Sequence, residues 1–309
     1  MRILVTGGCG YVGSALVPEL LNAGHKVIVV DVQWFGMNLM PHENLLVLKD
    51  DLRDGVDFTW LHETDCVIHL AAVANDPCGE LNPKLAWETN ALGTMQLIDA
   101  AARAGVPRFI YASSGSVYGV KSEAEVTEDL TCVPLSDYNK TKMVAEQVVQ
   151  AYWGPMVVQI LRPATVCGYS PRTRLDVAVN ALTISALTTG RIRVFGGDQM
   201  RPNVHIADMV RAYQWLLDNP ACDGVFNVGF ENHSLFGLAS LVKLECGGDI
   251  VVEPSVDARS YRLSSQRILD SGFRPAHTVQ DAIRGLRDAY KAGLLRDDDN
   301  GYNLRRMPR

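Results

Sequence analysis

Tyr138 and Lys142 stand four residues apart in the stretch Ser136-Asp-Tyr-Asn-Lys-Thr-Lys-Met-Val-Ala-Glu146, which reads as the start of a helix. That spacing sets a phenol and an ammonium on one helical face. A free tyrosine titrates near about 10, so one that must accept a proton at neutral pH needs help. An adjacent positive charge gives that help by favouring the phenolate. Alone, a Tyr-x-x-x-Lys spacing occurs by chance in many helices. Here it follows a glycine-rich turn and a serine-rich strand end.

The turn begins at the end of the apolar run Ile3-Leu-Val5. Gly7, Gly10 and Gly13, with Tyr11 and Val12 between the last two, spell G-x-x-G-x-x-G. Gly7 and Gly10 permit a tight turn and the close approach of a pyrophosphate. Gly13 lets helix pack on strand, and the helix N-terminus offers amide donors to an anion. Asp31 ends the second strand, within the interval at which an acid bonds a ribose 2′-hydroxyl. Such an acid repels a 2′-phosphate. No Arg or Lys follows in the next several residues, so NAD is expected over NADP. Taken alone, Asp31 has a lesser alternative reading as a turn-initiating residue. Asp50-Asp51-Leu52 and Leu70-Ala71-Ala72-Val73 follow the third and fourth apolar runs. At carboxyl ends of parallel strands they face the crevice where ligands bind, and two alanines leave room there.

The elements that must position these residues alternate. Ile3–Val5, Val27–Val30, Leu45–Leu48, Cys66–Leu70, Phe109–Tyr111 and Met156–Leu161 read as buried strands. Tyr11–Ala23, Pro83–Ala104 and Tyr138–Tyr152 read as helices. Apolar strands alternating with helices imply a parallel sheet covered on both faces. Beyond Pro163 the pattern loosens. Helices are expected at Leu175–Thr188, Ile206–Asn219, Leu235–Cys246 and Val279–Ala292, with strands at Arg193–Phe195 and Val225–Val228. Together these give an α/β chain: a doubly wound parallel sheet over residues 1–167, with 203–230 returning to it, and a smaller C-terminal α/β lobe from 168–202 and 231–295. The charged stretch 296–309 has no apolar period and is expected to be solvated or loosely docked.

Composition narrows the class. The chain has 309 residues, 47% hydrophobic, with no apolar run approaching a membrane span. A soluble globular protein is expected, with no membrane partner. Met1-Arg-Ile-Leu-Val reads as a strand rather than a signal peptide. A net charge of -6 argues against a nucleic-acid partner. Seven scattered cysteines without a Cys-x-x-Cys suit a reducing cytoplasm and give no metal site.

The ordered set Thr6-Gly-Gly-x-Gly-x-x-Gly13, Asp51-Leu52, His69-Leu-Ala-Ala72, Asn90, Tyr111-Ala-Ser-Ser-Gly-Ser-Val-Tyr-Gly119, Tyr138-x-x-x-Lys142, Leu161-Arg-Pro163 and Asn203-Val-His-Ile-x-Asp208 resembles an extended short-chain dehydrogenase/reductase. The nearest subgroup is the nucleotide-sugar epimerases and dehydratases of the UDP-galactose 4-epimerase type. The resemblance spans roughly residues 1–290. It implies a Rossmann-type fold, NAD as cofactor and a nucleotide-diphosphate sugar as substrate, held by the second lobe. It also implies a homodimer joined through helices matching Pro83–Ala104 and Tyr138–Tyr152.

The resemblance further implies that Ser114 bonds the sugar O4 and shares the proton path. Tyr138 is then the acid/base, and Lys142 bonds the nicotinamide ribose and lowers the tyrosine pKa. The neighbouring Ser113 competes for the serine role, and Ser114 could instead serve as a cap. Gly7, Gly10, Tyr11, Val12, Asp31, Asp51, Leu52, Leu70, Ala71, Ala72, Asn90 and Pro163 join Tyr138 and Lys142 as cofactor contacts. Ser116 falls where the family contacts the sugar. Asn180 and Arg201 match contacts to the nucleotide diphosphate, and an arginine fork suits phosphate oxygens. Asp257 and Arg259 match ribose and phosphate contacts, or form a surface ion pair. The segment Ser170–Asn180 is similar to a subgroup that includes heptose-modifying enzymes.

Dehydratases of this family carry Asp-Glu after the strand-end serine or threonine. Gly115 and Ser116 stand there in this chain, so 4,6-dehydration is disfavoured. What remains is C4 epimerisation: Tyr138 takes the O4 proton, a C4 hydride leaves, the 4-keto sugar turns over, and hydride returns to its other face. A 4-dehydrogenase or 4-ketoreductase uses the same residues, on an NDP-heptose or deoxysugar for example. Another epimerisation or a decarboxylation also stays open. A non-catalytic NAD sensor is opposed by the intact Ser114, Tyr138 and Lys142.

Overall fold

The apolar runs of the first half form strands, and all but the edge run Leu45–Leu48 are buried on both faces. The computed structural model describes residues 1–254 and 260–308. In chain order its first elements are β1 (Arg2–Thr6), α1 (Gly13–Asn22), β2 (Lys26–Asp31), β3 (Leu45–Lys49) and β4 (Cys66–His69). Next come α2 (Asp76–Leu81), α3 (Pro83–Ala86), a π-helical turn over Trp87–Leu92, α4 (Gly93–Arg103), β5 (Arg108–Ala112), α5 (Asp137–Gln150) and β6 (Val157–Pro163). Then follow β7 (Thr165–Cys167), α6 (Ala178–Thr189), β8 (Arg191–Phe195), β9 (Met200–His205), α7 (Ile206–Asp218) and β10 (Gly224–Val228). The last are β11 (Glu231–Ser234), α8 (Leu235–Cys246), β12 (Asp249–Glu253), α9 (Gln266–Asp270), α10 (Val279–Lys291) and α11 (Asn303–Arg306).

Seven strands form one sheet in the order β10-β6-β5-β4-β1-β2-β3, with every neighbouring pair parallel. The order reverses between β1 and β4. Chains leaving those two strands diverge and open a crevice at their carboxyl ends. One face buries Leu16 and Leu20 of α1 with Tyr213 and Leu216 of α7. The other buries Leu97 and Ile98 of α4 with Ala145 and Val149 of α5. β10 pairs with β6, whereas β9 joins β7 and β11 in a separate three-stranded sheet. β8 and β12 pair in parallel, and α6, α8 and α10 pack with them around a third core containing Val179, Leu238 and Ile283. Among the described residues no helix is long and apolar enough to cross a membrane.

The sequence pattern misses the short strands β7, β9, β11 and β12 and the small helices α2 and α9. β7, α2 and α9 are too brief to carry a period, β9 holds Arg201, Pro202 and Asn203 where an apolar run would stand, and β11 and β12 lack fully buried residues. The tail also differs from expectation. Asn303 and Met307 are buried, Leu175 N donates to Gly301 O at 2.7 Å, and Met307 joins a cluster with Val73, Cys78 and Leu85. Isolated apolar side chains on a polar segment give no periodic signal, yet one methionine in a pocket is enough to anchor it.

His69 shows how the sheet and α4 are pinned. Its Nδ1 lies 2.6 Å from Thr6 Oγ1 and its Nε2 2.8 Å from Thr94 Oγ1, and the ring is fully buried. Burial, with Lys142 nearby, lowers its pKa to about 3. The unfolded chain binds a proton here near the ordinary 6.5, and the folded chain does not. Stability is therefore expected to fall as pH drops from 6.5 towards 3, by up to about 1.4 kcal/mol per unit. His69→Gln should flatten that part of the profile in urea unfolding; an unchanged slope would assign it to other groups.

Candidate active site

The crevice between β1 and β4 widens into a cleft of about 580 Å³. At one end the glycine turn lies against the chain leaving β4. Gly7 has φ +73°, and a Cβ built on it would sit 2.6 Å from Ala71 N. A Cβ on Gly13 would meet Gly7 O at 2.5 Å, so the first turn of α1 packs directly on the loop. Both positions require glycine. Tyr11, Val12, Gly10, Leu70, Ala71 and Ala72 line this end, with Asp51 and Leu52 beyond β3. Asp31 closes β2, accepting from Cys9 N at 2.9 Å and Gln33 N at 2.7 Å. Burial raises its pKa, against those amides and Arg172.

At the other end β5 delivers Ser113 and Ser114 in succession. The Ser113 hydroxyl turns inward and donates to Glu146 Oε2 at 2.7 Å. Ser114 lines the cleft, its Oγ 2.7 Å from Ser116 Oγ, and Ser116 donates to Asn139 Oδ1. Successive residues of an extended chain face opposite sides, which separates the two serines. The Ser136 hydroxyl caps α5, accepting from Asn139 N at 3.2 Å, so Tyr138 and Lys142 project from its first turns toward the cleft.

Lys142 is buried and donates to Ala112 O at 2.8 Å, with its Nζ 5.0 Å from the Tyr111 ring centroid. Burial lowers its pKa to about 7. The pull on Tyr138 differs from the sequence expectation. Burial raises the phenol, and what acts against it is hydrogen bonding by Ser114 and the charge of Arg174.

A buried network backs this end. Glu146 pairs with Arg162, whose Nη1 donates to Tyr118 OH at 2.7 Å, and Tyr118 donates to Asn227 Oδ1 at 2.8 Å. It links α5, β6 and β10 directly behind the serine strand.

Two residues stand elsewhere than the sequence reading put them. Asn90, on the π turn, is buried behind the wall. Its Oδ1 accepts from Val73 N at 2.8 Å and its Nδ2 donates to Val73 O and Thr141 Oγ1. It fixes the chain after β4 rather than lining the cleft. Asn180 is likewise enclosed: Oδ1 accepts from Gly168 N, and Nδ2 donates to Tyr11 OH and Arg174 O. Its amide is consumed in holding the loop 168–174. Arg201, on β9, and Pro163 and Ser116 line the cleft. Asp257 and Arg259 lie outside the described residues.

The sequence reading passed over Trp34, Phe35, Arg172, Arg174, Asp176 and Asn303, all of which line the cleft. Arg174 Nε bonds Asp176 Oδ1 at 2.8 Å. Two arginines one residue apart, Arg172 and Arg174, with Asp176 two residues further on, are the available signal. Nothing in the sequence marks Asn303.

A sequence model of the NAD dependent epimerase/dehydratase family matches residues 3–229. The chain belongs to this family. Among relatives of the family, an uncharacterized UDP-glucose epimerase of Bacillus subtilis is 33% identical over 264 residues, 79% of this chain and 81% of that one. UDP-glucuronic acid decarboxylase 1 of Xenopus tropicalis is 29% identical over 320 residues, 97% and 75% of the two chains. The solved UDP-glucuronic acid 4-epimerase of Bacillus cereus, in complex with UDP-glucuronic acid and NAD, superposes with a TM-score of 0.84 at 26% identity, covering 94% and 99%. The cofactor of the epimerase/dehydratase family is NAD, and the cradle here fits it. The turn has no room for a Cβ at Gly7, the α1 N-terminus faces the cleft, and Asp31 closes the strand beside it.

The Glu146–Arg162 pair generates a prediction. Glu146→Ala leaves a buried guanidinium unpaired and should cost about 3–5 kcal/mol in urea unfolding. Glu146→Met with Arg162→Met should recover part of that loss. A single-variant cost below about 1 kcal/mol would mean that water replaces the partner.

Proposed function

We propose that the protein is a nucleotide-sugar 4-epimerase that works through a transient 4-keto sugar. The observation that carries this reading is the composition of the reacting end of the cleft. It offers Tyr138, Ser114 and Lys142, with Gly115 and Ser116 where carboxylates would be needed for dehydration. The cleft's own carboxylates at this end are engaged. Asp76 accepts from Ser136 at 2.6 Å, and Asp176 binds Arg174 and Asn303 N.

When bound, NAD supplies a reversible hydride acceptor for the sugar C4. The residues manage the proton and the pose. Tyr138 accepts the O4 proton, and the same phenol returns it after the ring has turned. Ser114 bridges the sugar hydroxyl and the phenol, and its bond to Ser116 sets its rotor. Arg174 lowers the cost of the phenolate, and Lys142 presents a buried donor to the nicotinamide ribose. Gly7, Gly10, Tyr11, Val12, Asp31, Asp51, Leu52, Leu70, Ala71, Ala72 and Pro163 hold the cofactor, and Arg201 meets the sugar nucleotide's diphosphate. UDP-sugars are the first candidates, because the relatives named above act on or bind them.

Incubation with a panel of UDP-sugars, followed by NADH absorbance and product stereochemistry by NMR, tests this. Epimer formation without NADH in solution is expected; stoichiometric NADH would make the protein a 4-dehydrogenase. Tyr138→Phe should keep NAD binding and lose about 10²- to 10⁴-fold in turnover; near-normal turnover would remove it as the base. Asp31→Ala should weaken NAD and relax discrimination against NADP, and an unaltered preference would place the choice elsewhere. Exposed Trp87, Leu92 and Met95 on the π turn and α4 support a homodimer through this face. Light scattering should return twice the 33.9 kDa chain mass, and a monomer at working concentration would oppose it.

A further inference from the structure

The loop after β7 is stitched to the N-terminus of α1. Tyr11 OH donates to Gly168 O at 2.7 Å, Ser170 Oγ to Tyr11 O at 3.0 Å, and Arg172 N to Ser14 Oγ at 3.2 Å. Arg172 is thereby fixed beside the glycine turn. Its guanidinium lies 3.7 Å from the Phe35 ring centroid, near the Asp31 end of the cleft. The residue is 4% exposed, its Nη2 donates to the neutral Asn303 Oδ1 at 2.6 Å, and its Nε has no hydrogen-bond partner among the described residues. Asp176, the nearby carboxylate, is bonded by Arg174 instead. A buried guanidinium without a hydrogen-bonded carboxylate is costly unless an anion completes it.

Asn303 belongs to the C-terminal segment. Besides bonding Arg172, it donates its amide N–H to Asp176 Oδ2 at 3.1 Å and its Nδ2 to Ala74 O at 3.3 Å, beyond β4. Met307 anchors the segment among Val73, Cys78 and Leu85, beside Trp34 and Phe35. One residue therefore ties the chain leaving the sheet to the arginine loop, across the cleft mouth.

We propose that Arg172, aligned by Asn303, binds the diphosphate of the bound dinucleotide beside the glycine turn, so that residues 299–308 clasp the cofactor. The planar fork suits two phosphate oxygens. The site lies beside α1, whose first turn offers amides to the same group. The clasp rests on the NAD-linked reading above and adds to it. A dinucleotide held in this clasp stays bound while substrates exchange, as an enzyme that regenerates its cofactor in each cycle requires.

The test compares the full-length protein with Arg172→Gln, Asn303→Ala and a chain ending at Asp298. Each is titrated with NAD and, separately, with UDP, and NAD release is timed by chase. Both point variants should raise the NAD Kd about tenfold or more, mainly through faster release, with the UDP Kd within about twofold and the melting temperature little changed. The truncation should match or exceed them, and the point variants decide the matter if it does not fold. NAD Kd within about twofold of the unaltered protein in both point variants overturns the clasp. Weakened UDP with unaltered NAD also overturns it, by moving Arg172 to the nucleotide sugar. Failure of the sugar panel to show epimerisation would leave these NAD titrations standing, so the two proposals fail separately.

Discussion

The approach of two backbones at Gly7 and Ala71 is the constraint on which the cleft depends. β1 and β4 are neighbours in the sheet, and their chains part company one residue beyond it. With no Cβ at Gly7, the glycine turn can lie on the chain leaving β4 and still present α1 to the opening. The wall after β4 must then be held from behind, which Asn90 does by bonding both backbone groups of Val73. The crevice is thus made by sheet topology and kept open by a single missing methyl group.

The parallel sheet was legible because its inner strands are buried on both faces and read as unbroken apolar runs. The glycine turn, Asp31 and Ser114 stand at strand ends and Tyr138 and Lys142 share one helical face, patterns that local spacing records, and all of them line the cleft. Asn90 and Asn180 were legible as residues of interest but not in their placement, since an amide that braces a wall and one that touches a ligand look alike in sequence. Arg172 and Asn303 meet across 131 residues, and no local pattern records that contact. Lys142 shows another limit. Spacing put it on the face of Tyr138, while the carbonyl of Ala112 decided where its charge went.

The reacting end therefore divides labour differently from a simple Tyr–Lys pair. Ser114 and Arg174 reach Tyr138 from the end of β5 and from the loop after β7, so the phenol is influenced by two elements outside its own helix. Arg174 is itself held by Asp176 and, through it, by the C-terminal segment. Proton affinity at the phenol is linked in this way to how well the far lobe is seated.

That seating carries a consequence for how the molecule assembles. The contacts that complete the cleft wall join Asn303 to Ala74 and to Arg172, 229 and 131 residues away along the chain. Closing such long loops is entropically costly and must follow formation of the segments they join. The wall of the site is thus completed by the chain's longest-range contacts, and it exists only where residues far apart in the sequence have been brought together.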